Sequence, residues 1–262
     1  MDHVLPLLDI DALLLDAGGV LVHPDWAIVA QVVAKLGGAL PVQALRAAEP
    51  KVWHSLDTPA LVGARTNDQS RAGRFLDLVL REAGLDNDGL RNQVNAELEH
   101  WRAAGKLWVD VPPEVPATLV ALRERGLKLG VVSNANGTMP KKLENAGLAQ
   151  YFDVIVDSAI VGIEKPNPEV FFLALDAMAV AAARAAFVGD LVHIDVHGAE
   201  RAGMTPILMD KGRLYSAPER RITALNEILP MIGAVRSTAP RRQIGMPLIV
   251  GAAPTRLAEP SA

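Results

Sequence analysis

Residues 11–25 read DALLLDAGGVLVHPD, and the rest of the chain is best understood outward from them. An apolar run from Ala12 to Leu15 ends in Asp16, Ala17-Gly18-Gly19 permits a sharp turn, and Val20-Leu21-Val22 resumes the apolar pattern before His23-Pro24. Such a run fits a strand buried on both faces that delivers a carboxylate to its C-terminal tip. In an open parallel sheet ligands bind outside that edge, and glycines there let backbone N–H groups approach an anion closely. Asp16 is therefore the first candidate for a reacting group. The plainer alternative is an Asp that merely caps a strand-to-loop turn.

Beyond Asp16 the pattern divides in two. Residues 25–104 hold no convincing strand but several segments at helical spacing: WAIVAQVVAKLGG, QALRAAEPKVWHSL, RAGRFLDLVLREAG and GLRNQVNAELEHWRAAG, the last two stopping at Gly84 and Gly105. This predicts an all-helical insert with Trp53, Phe75, Leu76, Leu78 and Trp101 in its core. The segments Asp57-Thr58-Pro59 and Gly63–Asn67 are where it would show polar side chains to a ligand. From Lys106 onward helices and strands alternate. LKLGVVSN, FDVIVD, AAFVGD and TPILMD read as strands, and PKKLENAG, NPEVFFLALDAM and VHGAERAG as helices between them, with PERRITALNEIL as a closing helix. Alternation of this kind predicts an α/β fold with a doubly wound parallel sheet. The expected organisation is a core of residues 1–23 and 106–230, a helical insert at 24–105, and a loosely docked C-terminal extension at 231–262.

Composition bounds the function. At 262 residues, half of them apolar, the chain can bury a sizeable core. A net charge of -4 leaves no electrostatic footprint for nucleic acid. No apolar run approaches the ~18 residues of a membrane span, and MDHVLPLLDID lacks the basic and apolar regions of a signal peptide, so a soluble cytoplasmic protein is expected. The absence of cysteine excludes disulfides, thiolate metal sites and a thiol nucleophile.

Polar residues collect at the strand tips: Asp16, Ser133-Asn134, the loop at Lys165, and Asp190 with Asp195. In a parallel sheet these tips share one edge. Three carboxylates there repel one another unless a cation sits among them, and hard oxygen ligands suit Mg²⁺. The Ser133 hydroxyl, the helix N-terminus behind it and the Lys165 ammonium would then hold phosphoryl oxygens, an assembly suited to phosphoryl transfer onto a carboxylate. Each residue alone has an ordinary explanation as a helix cap or a solvated charge; their order and spacing together do not.

These motifs resemble those of the haloacid dehalogenase superfamily, mostly phosphatases with an aspartate nucleophile. The family's D-x-D-G-[T/V]-L after a strand is similar to DAGGVL from Asp16, its strand ending in [S/T]-N to VVSN, its lysine motif to EKPNPEVF around Lys165, and its fourth motif to GDLVHIDVHGAERAGM from Gly189. The resemblance covers residues 11 to about 229, and the insert is similar to the family's helical cap of the first type. It implies Mg²⁺-dependent hydrolysis of a small phosphorylated metabolite through an aspartyl-phosphate. Asp16 would be the nucleophile and a metal ligand, with Lys165 steadying it. Ser133 would bind phosphate together with Asn134, Ala17 and Gly18, and Asp190 and Asp195 would position Mg²⁺. One position departs: the family's second Asp, which protonates the leaving group, is Gly18 here. Family members bind the metal at that position through the backbone carbonyl, so the resemblance implies that Gly18 need not abolish Mg²⁺ binding; the proton-transfer role is what it puts in doubt.

Two histidine patterns bear on this gap. His23, leading into the insert, is a candidate acid/base, with a plain hinge residue as the alternative. His193 and His197 have a spacing compatible with zinc, a weak signal without further ligands. Other readings remain within the family. A dehalogenase would dispense with the metal that Asp190 and Asp195 suit, and a phosphonate hydrolase would need a lysine in the insert, for which Lys51 is a poor candidate. A binding or regulatory protein that lost turnover through Gly18 is the non-enzymatic alternative.

Overall fold

In the computed structural model, which describes residues 7–60, 68–217, 220–233 and 246–251, the Asp16 strand sits at the middle of the sheet. The polar loop expected at 63–67 and most of the C-terminal extension lie outside these residues. In chain order, β1 (Ala12–Leu15) and β2 (His23–Pro24) precede the helices α1 (Trp26–Lys35), α2 (Val42–Leu56), α3 (Asp68–Glu82), α4 (Asp88–Glu97) and α5 (Glu99–Ala103). Then come β3 (Trp108–Asp110), α6 (Glu114–Glu124), β4 (Lys128–Ser133), α7 (Met139–Asn145), β5 (Val154–Asp157), α8 (Ser158–Val161) and α9 (Glu169–Met178). The chain closes with β6 (Ala185–Gly189), α10 (His197–Arg201), β7 (Thr205–Met209), β8 (Arg221–Ile222) and β9 (Leu248–Ile249).

The main sheet runs β8-β7-β6-β1-β4-β5-β9 with every neighbour parallel, as the alternation of strands and helices predicts. β1 is buried along its whole length because both faces are covered. Leu13 and Leu15 join one apolar cluster with Val131 and Val188, whereas Ala12 and Leu14 join the opposite one with Val132 and Phe187. That is the period-two alternation of a strand expressed with apolar residues on both sides. With β4 and β6 as the neighbours of β1, the tips carrying Ser133, Asp16 and Asp190 are adjacent.

The helices from Trp26 onward build a third cluster of their own around Trp26, Leu45, Phe75, Leu80 and Leu98; of the expected core residues Phe75 and Leu76 are buried in it and Trp53, Leu78 and Trp101 pack against it. The two chain segments entering and leaving this insert pair with each other as the antiparallel ribbon β2-β3, His23 opposite Asp110. No helix among the described residues is long and apolar enough to cross a membrane.

Two features at the sheet edges differ from the sequence reading. The expected closing helix at 218–229 is instead strand β8 followed by a 3₁₀ segment, Leu225–Met231. The open edge of β7 offers unpaired backbone groups, and Leu208 N–H donates to Arg220 O while Asp210 N–H donates to Ile222 O. A second exception lies in the extension, where Leu248–Ile249 adds to the other edge by pairing with β5.

Candidate active site

Asp16 stands one residue past β1, its backbone N–H donating to Val188 O (2.8 Å) on the neighbouring strand. The turn that follows is tight: Leu21 and Val22 both donate to Ala17 O, and Ala17 N–H donates to Asp16 Oδ1 (2.8 Å). Gly19 has φ of +75°, and a Cβ there would lie 2.0 Å from Asp190 Oδ2. Gly189 is constrained in the same way, since a Cβ would lie 2.2 Å from Asp195 Cβ. The two glycines are what allow the carboxylates of β1 and β6 to crowd together.

Among the described residues Asp16, Asp190 and Asp195 form a group in which one carboxylate oxygen from each lies within 4.8 Å of the others. Lys165 is placed between two of them, its Nζ 3.0 Å from Asp16 Oδ1 and 2.7 Å from Asp195 Oδ1, with its side chain 1% exposed. Burial alone would lower its pKa, but Asp16 and Asp195 outweigh that and hold the ammonium above its ordinary value. The Asp195 carboxyl is pushed up by burial and by Asp16 against the pull of Lys165. Asp190 is pushed well up, by burial first and then by Asp195 and Asp16, and no hydrogen-bond donor among the described residues reaches its carboxylate. A buried anion without a donor beside two further carboxylates is the environment a hard divalent cation relieves, so the residues present fit Mg²⁺.

Ser133 and Asn134 line the same small cavity of about 50 Å³ as Asp16, Gly18, Lys165, Asp190 and Asp195. Asn134 plays a different part from the one its motif suggests. Its Nδ2 donates to Lys165 O (2.9 Å) and its Oδ1 accepts from Lys165 N–H (2.7 Å), so both ends of the amide grip the lysine backbone. The turn after Ser133 is fixed from β5. Asp157, wholly buried, accepts from Gly137 N–H and Ala159 N–H through Oδ1 and from Met139 N–H through Oδ2. Over the cavity stand Trp53, Phe75 and Trp108, with Trp53 stacked on Phe75 at a centroid distance of 4.1 Å.

A second, larger cavity of about 420 Å³ adjoins Gly19 and Asp190 and opens between the insert and the core. His23 lines this space rather than the one at Asp16. Lys211 Nζ lies 2.5 Å from its Nε2, and because an ammonium only donates, Nε2 accepts and the proton sits on Nδ1, which donates to Glu49 Oε1 (2.6 Å). Glu49 Oε2 accepts from Trp26 Nε1 (2.9 Å). Both ring nitrogens of His23 are thus engaged. Burial pushes Lys211 below its ordinary pKa. Lys51 is directed away from the cleft, exposed and paired with Glu82 at 3.0 Å. His193 and His197 contact each other edge to face, and no group of three metal-ligating side chains among the described residues includes them.

The structure brings Asp16, Ser133, Lys165, Asp190 and Asp195 together at one edge of the sheet, and around them stand Glu49, Lys211, Tyr215 and Trp108, which sequence reasoning did not anticipate. None of these has a local signature, since each reaches the cleft across the junction of insert and core.

Comparison with known proteins bears on the family. A family model described as haloacid dehalogenase-like hydrolase matches residues 10–203. The phosphoserine phosphatase of Thermus thermophilus is 34% identical over 182 residues, 68% of this chain and 71% of that protein. A glyceraldehyde 3-phosphate phosphatase of Methanopyrus kandleri is 34% identical over 148 residues, 56% of this chain and 63% of that one. Among solved structures, an HAD phosphatase from Thermococcus onnurineus superposes with a TM-score of 0.56 at 26% identity, covering 87% of this chain and 100% of that one.

Proposed function

Because this chain belongs to the haloacid dehalogenase-like hydrolases, we propose that it removes the phosphoryl group from a small phosphorylated metabolite through an aspartyl-phosphate on Asp16. The observation that carries this reading is the Asp16–Lys165–Asp195 bridge with Asp190 beside it, at the C-terminal edge of the sheet. An Asp16 oxygen attacks phosphorus, and the bond from phosphorus to the leaving oxygen breaks with its electron pair on that oxygen, which takes up a proton. Water then attacks phosphorus, the bond to Asp16 breaks, and the carboxylate and inorganic phosphate are released. Lys165, held charged by its two carboxylate partners, pairs with Asp16 and offsets the charge of the phosphoryl oxygens. Ser133 and Gly18 line the cavity those oxygens would enter, the Ala17 N–H is taken by Asp16 Oδ1, and Asn134 contributes by fixing Lys165. Asp16, Asp190, Asp195 and the Gly18 carbonyl would hold Mg²⁺, which supplies neutralisation of phosphoryl charge.

In this reading residues 24–105 form a cap over a core of residues 1–23 and 106–230, and the larger cavity takes the leaving group. Its volume and the names of the relatives, phosphatases of phosphoserine and glyceraldehyde 3-phosphate, support a short phosphorylated substrate. Gly18 supplies no acid for the leaving oxygen, and His23 can do so only by releasing Glu49. That gap favours one other reading, a protein that binds phosphorylated ligands without turning them over.

Phosphate release from an aryl phosphate and from a panel of phosphorylated metabolites, with and without Mg²⁺, separates the two. Mg²⁺-dependent release that vanishes in Asp16→Asn is the expected result. Wild type that binds phosphate esters but releases no phosphate from any of them would overturn the hydrolytic reading.

A further inference from the structure

α2 ends on Asp57, and this side chain of the insert is planted in the core. It is 0% exposed, and each of its oxygens accepts two hydrogen bonds. Oδ2 accepts from Val192 N–H (2.6 Å) and from the Tyr215 hydroxyl (2.8 Å), and Oδ1 accepts from His193 N–H (3.0 Å) and His193 Nδ1 (2.9 Å). Just before these residues, Asp190 N–H and Leu191 N–H both donate to Asp195 Oδ2 at 3.0 Å. Four successive backbone N–H groups, 190 to 193, therefore converge in pairs on two carboxylates. One carboxylate belongs to the turn itself and the other arrives from the insert.

A turn that aims consecutive N–H groups to one side keeps its shape only while acceptors are in place. Asp195 supplies half of them from within. The other half comes from Asp57, and Tyr215, whose phenol burial and the Asp57 charge keep protonated, closes the seat from the segment after β7. The same turn sets where the carboxylates of Asp190 and Asp195 stand relative to Asp16.

From this geometry we infer that Asp57 is a positioning residue that couples seating of the insert to assembly of the carboxylate cluster. Seated, it fixes the 190–195 turn and the spacing of its two carboxylates; lifted away with the insert, it frees Val192 and His193 to water and the turn loosens. Because such coupling is reciprocal, a cation bound by the cluster favours the seated insert, and the seated insert tightens the cation. The inference rests on the reading of Asp16, Asp190 and Asp195 as a Mg²⁺ site.

The test uses the full chain with Asp57→Asn and Tyr215→Phe. Two quantities are measured: binding of MgCl₂ alone by calorimetry, and backbone hydrogen exchange across residues 190–196. Asp57→Asn, which turns an amide NH₂ toward donors, is expected to weaken Mg²⁺ about tenfold or more, as loss of partners behind metal ligands commonly does, and to speed exchange in the turn. Tyr215→Phe removes one donor and leaves Asp57 in place, so a smaller loss of the same sign is expected. A folded Asp57→Asn variant with wild-type Mg²⁺ affinity and wild-type exchange in the turn overturns the inference. If Asp57→Asn does not fold, Tyr215→Phe decides by the same two measurements. Should wild type bind no Mg²⁺, the metal reading fails, and exchange in the turn alone then decides whether Asp57 positions it.

Discussion

Replacing Asp16 by Asn removes the attacking oxygen's charge without removing any apolar contact. Turnover should fall by at least about 10⁴, the scale seen when a nucleophile is lost. The melting temperature should move by no more than a few degrees, because losing the Asp16 charge relieves repulsion with Asp190 and Asp195 but also removes one of the two carboxylate partners of buried Lys165. A marked loss of stability together with residual turnover would contradict this assignment. The neighbouring glycines should respond oppositely to substitution. At Gly19 a Cβ would meet Asp190 Oδ2 at 2.0 Å on a backbone with φ of +75°, so Gly19→Ala should cost roughly 1–3 kcal/mol and most of the activity. At Gly18 a Cβ would meet only the Trp108 ring, at 3.4 Å, so Gly18→Asp should fold and restore a carboxyl near the leaving oxygen. General acid help is typically worth ~10²–10⁴ in rate and matters most for poor leaving groups. Gly18→Asp should therefore accelerate alkyl phosphates more than aryl ones, read as a shallower dependence of kcat on leaving-group pKa. An unchanged dependence would mean that a group already present, such as His23, supplies the proton.

Among the elements, β5 shows how one strand tip supports the next. Asp157 is wholly buried and gathers three backbone N–H groups, from Gly137, Met139 and Ala159, on both sides of the strand it ends. Asp157→Ala would strand these donors, each unsatisfied group costing ~1–3 kcal/mol, so a loss of about 3 kcal/mol in denaturant unfolding is expected. Because two of the three donors shape the turn after Ser133, the surviving activity should show a raised KM. A variant with wild-type stability would show that water replaces the carboxylate. Strands such as β1, β4 and β6 were legible in the sequence because burial on both faces writes an uninterrupted apolar run ending in a polar tip. β2, β8 and β9 were not, since a two-residue strand is too short to carry a period and is decided by the edge it meets. Arg221-Ile222 illustrates the point: its neighbours have helical spacing, but the open edge of β7 takes its backbone.

For the molecule as a whole, the same limit separates what the sequence told of the site from what it did not. Asp16, Ser133, Lys165, Asp190 and Asp195 could be grouped because topology alone brings strand tips together. Glu49 and Asp57 could not, because they lie on a helix of the insert and meet His23, Val192 and His193 only once the insert is seated. The apolar clusters, by contrast, keep to their own parts: the two on the sheet draw no residue from 26–107, and the one in the insert draws its buried residues only from there. The contacts across the junction include polar ones, Arg46 with Asp110, Glu49 with His23, and Asp57 with the 192–193 turn, whose core partners the excision opens to water. Entry and exit of the insert are also paired, His23 opposite Asp110, so a short Gly-Ser linker spans the ends without strain. A chain with residues 24–105 replaced by such a linker should therefore remain soluble and unfold cooperatively. It should hydrolyse an activated aryl phosphate slowly and show no preference among phosphorylated metabolites, since the walls of the larger cavity contributed by Trp26, Arg46, Trp53 and His54 are gone. Its Mg²⁺ affinity should match that of Asp57→Asn rather than of wild type, because both lack the acceptor for Val192 and His193. A core that fails to fold after the excision would show that the helices and the sheet form one inseparable unit, and that the insert cannot open as a cap.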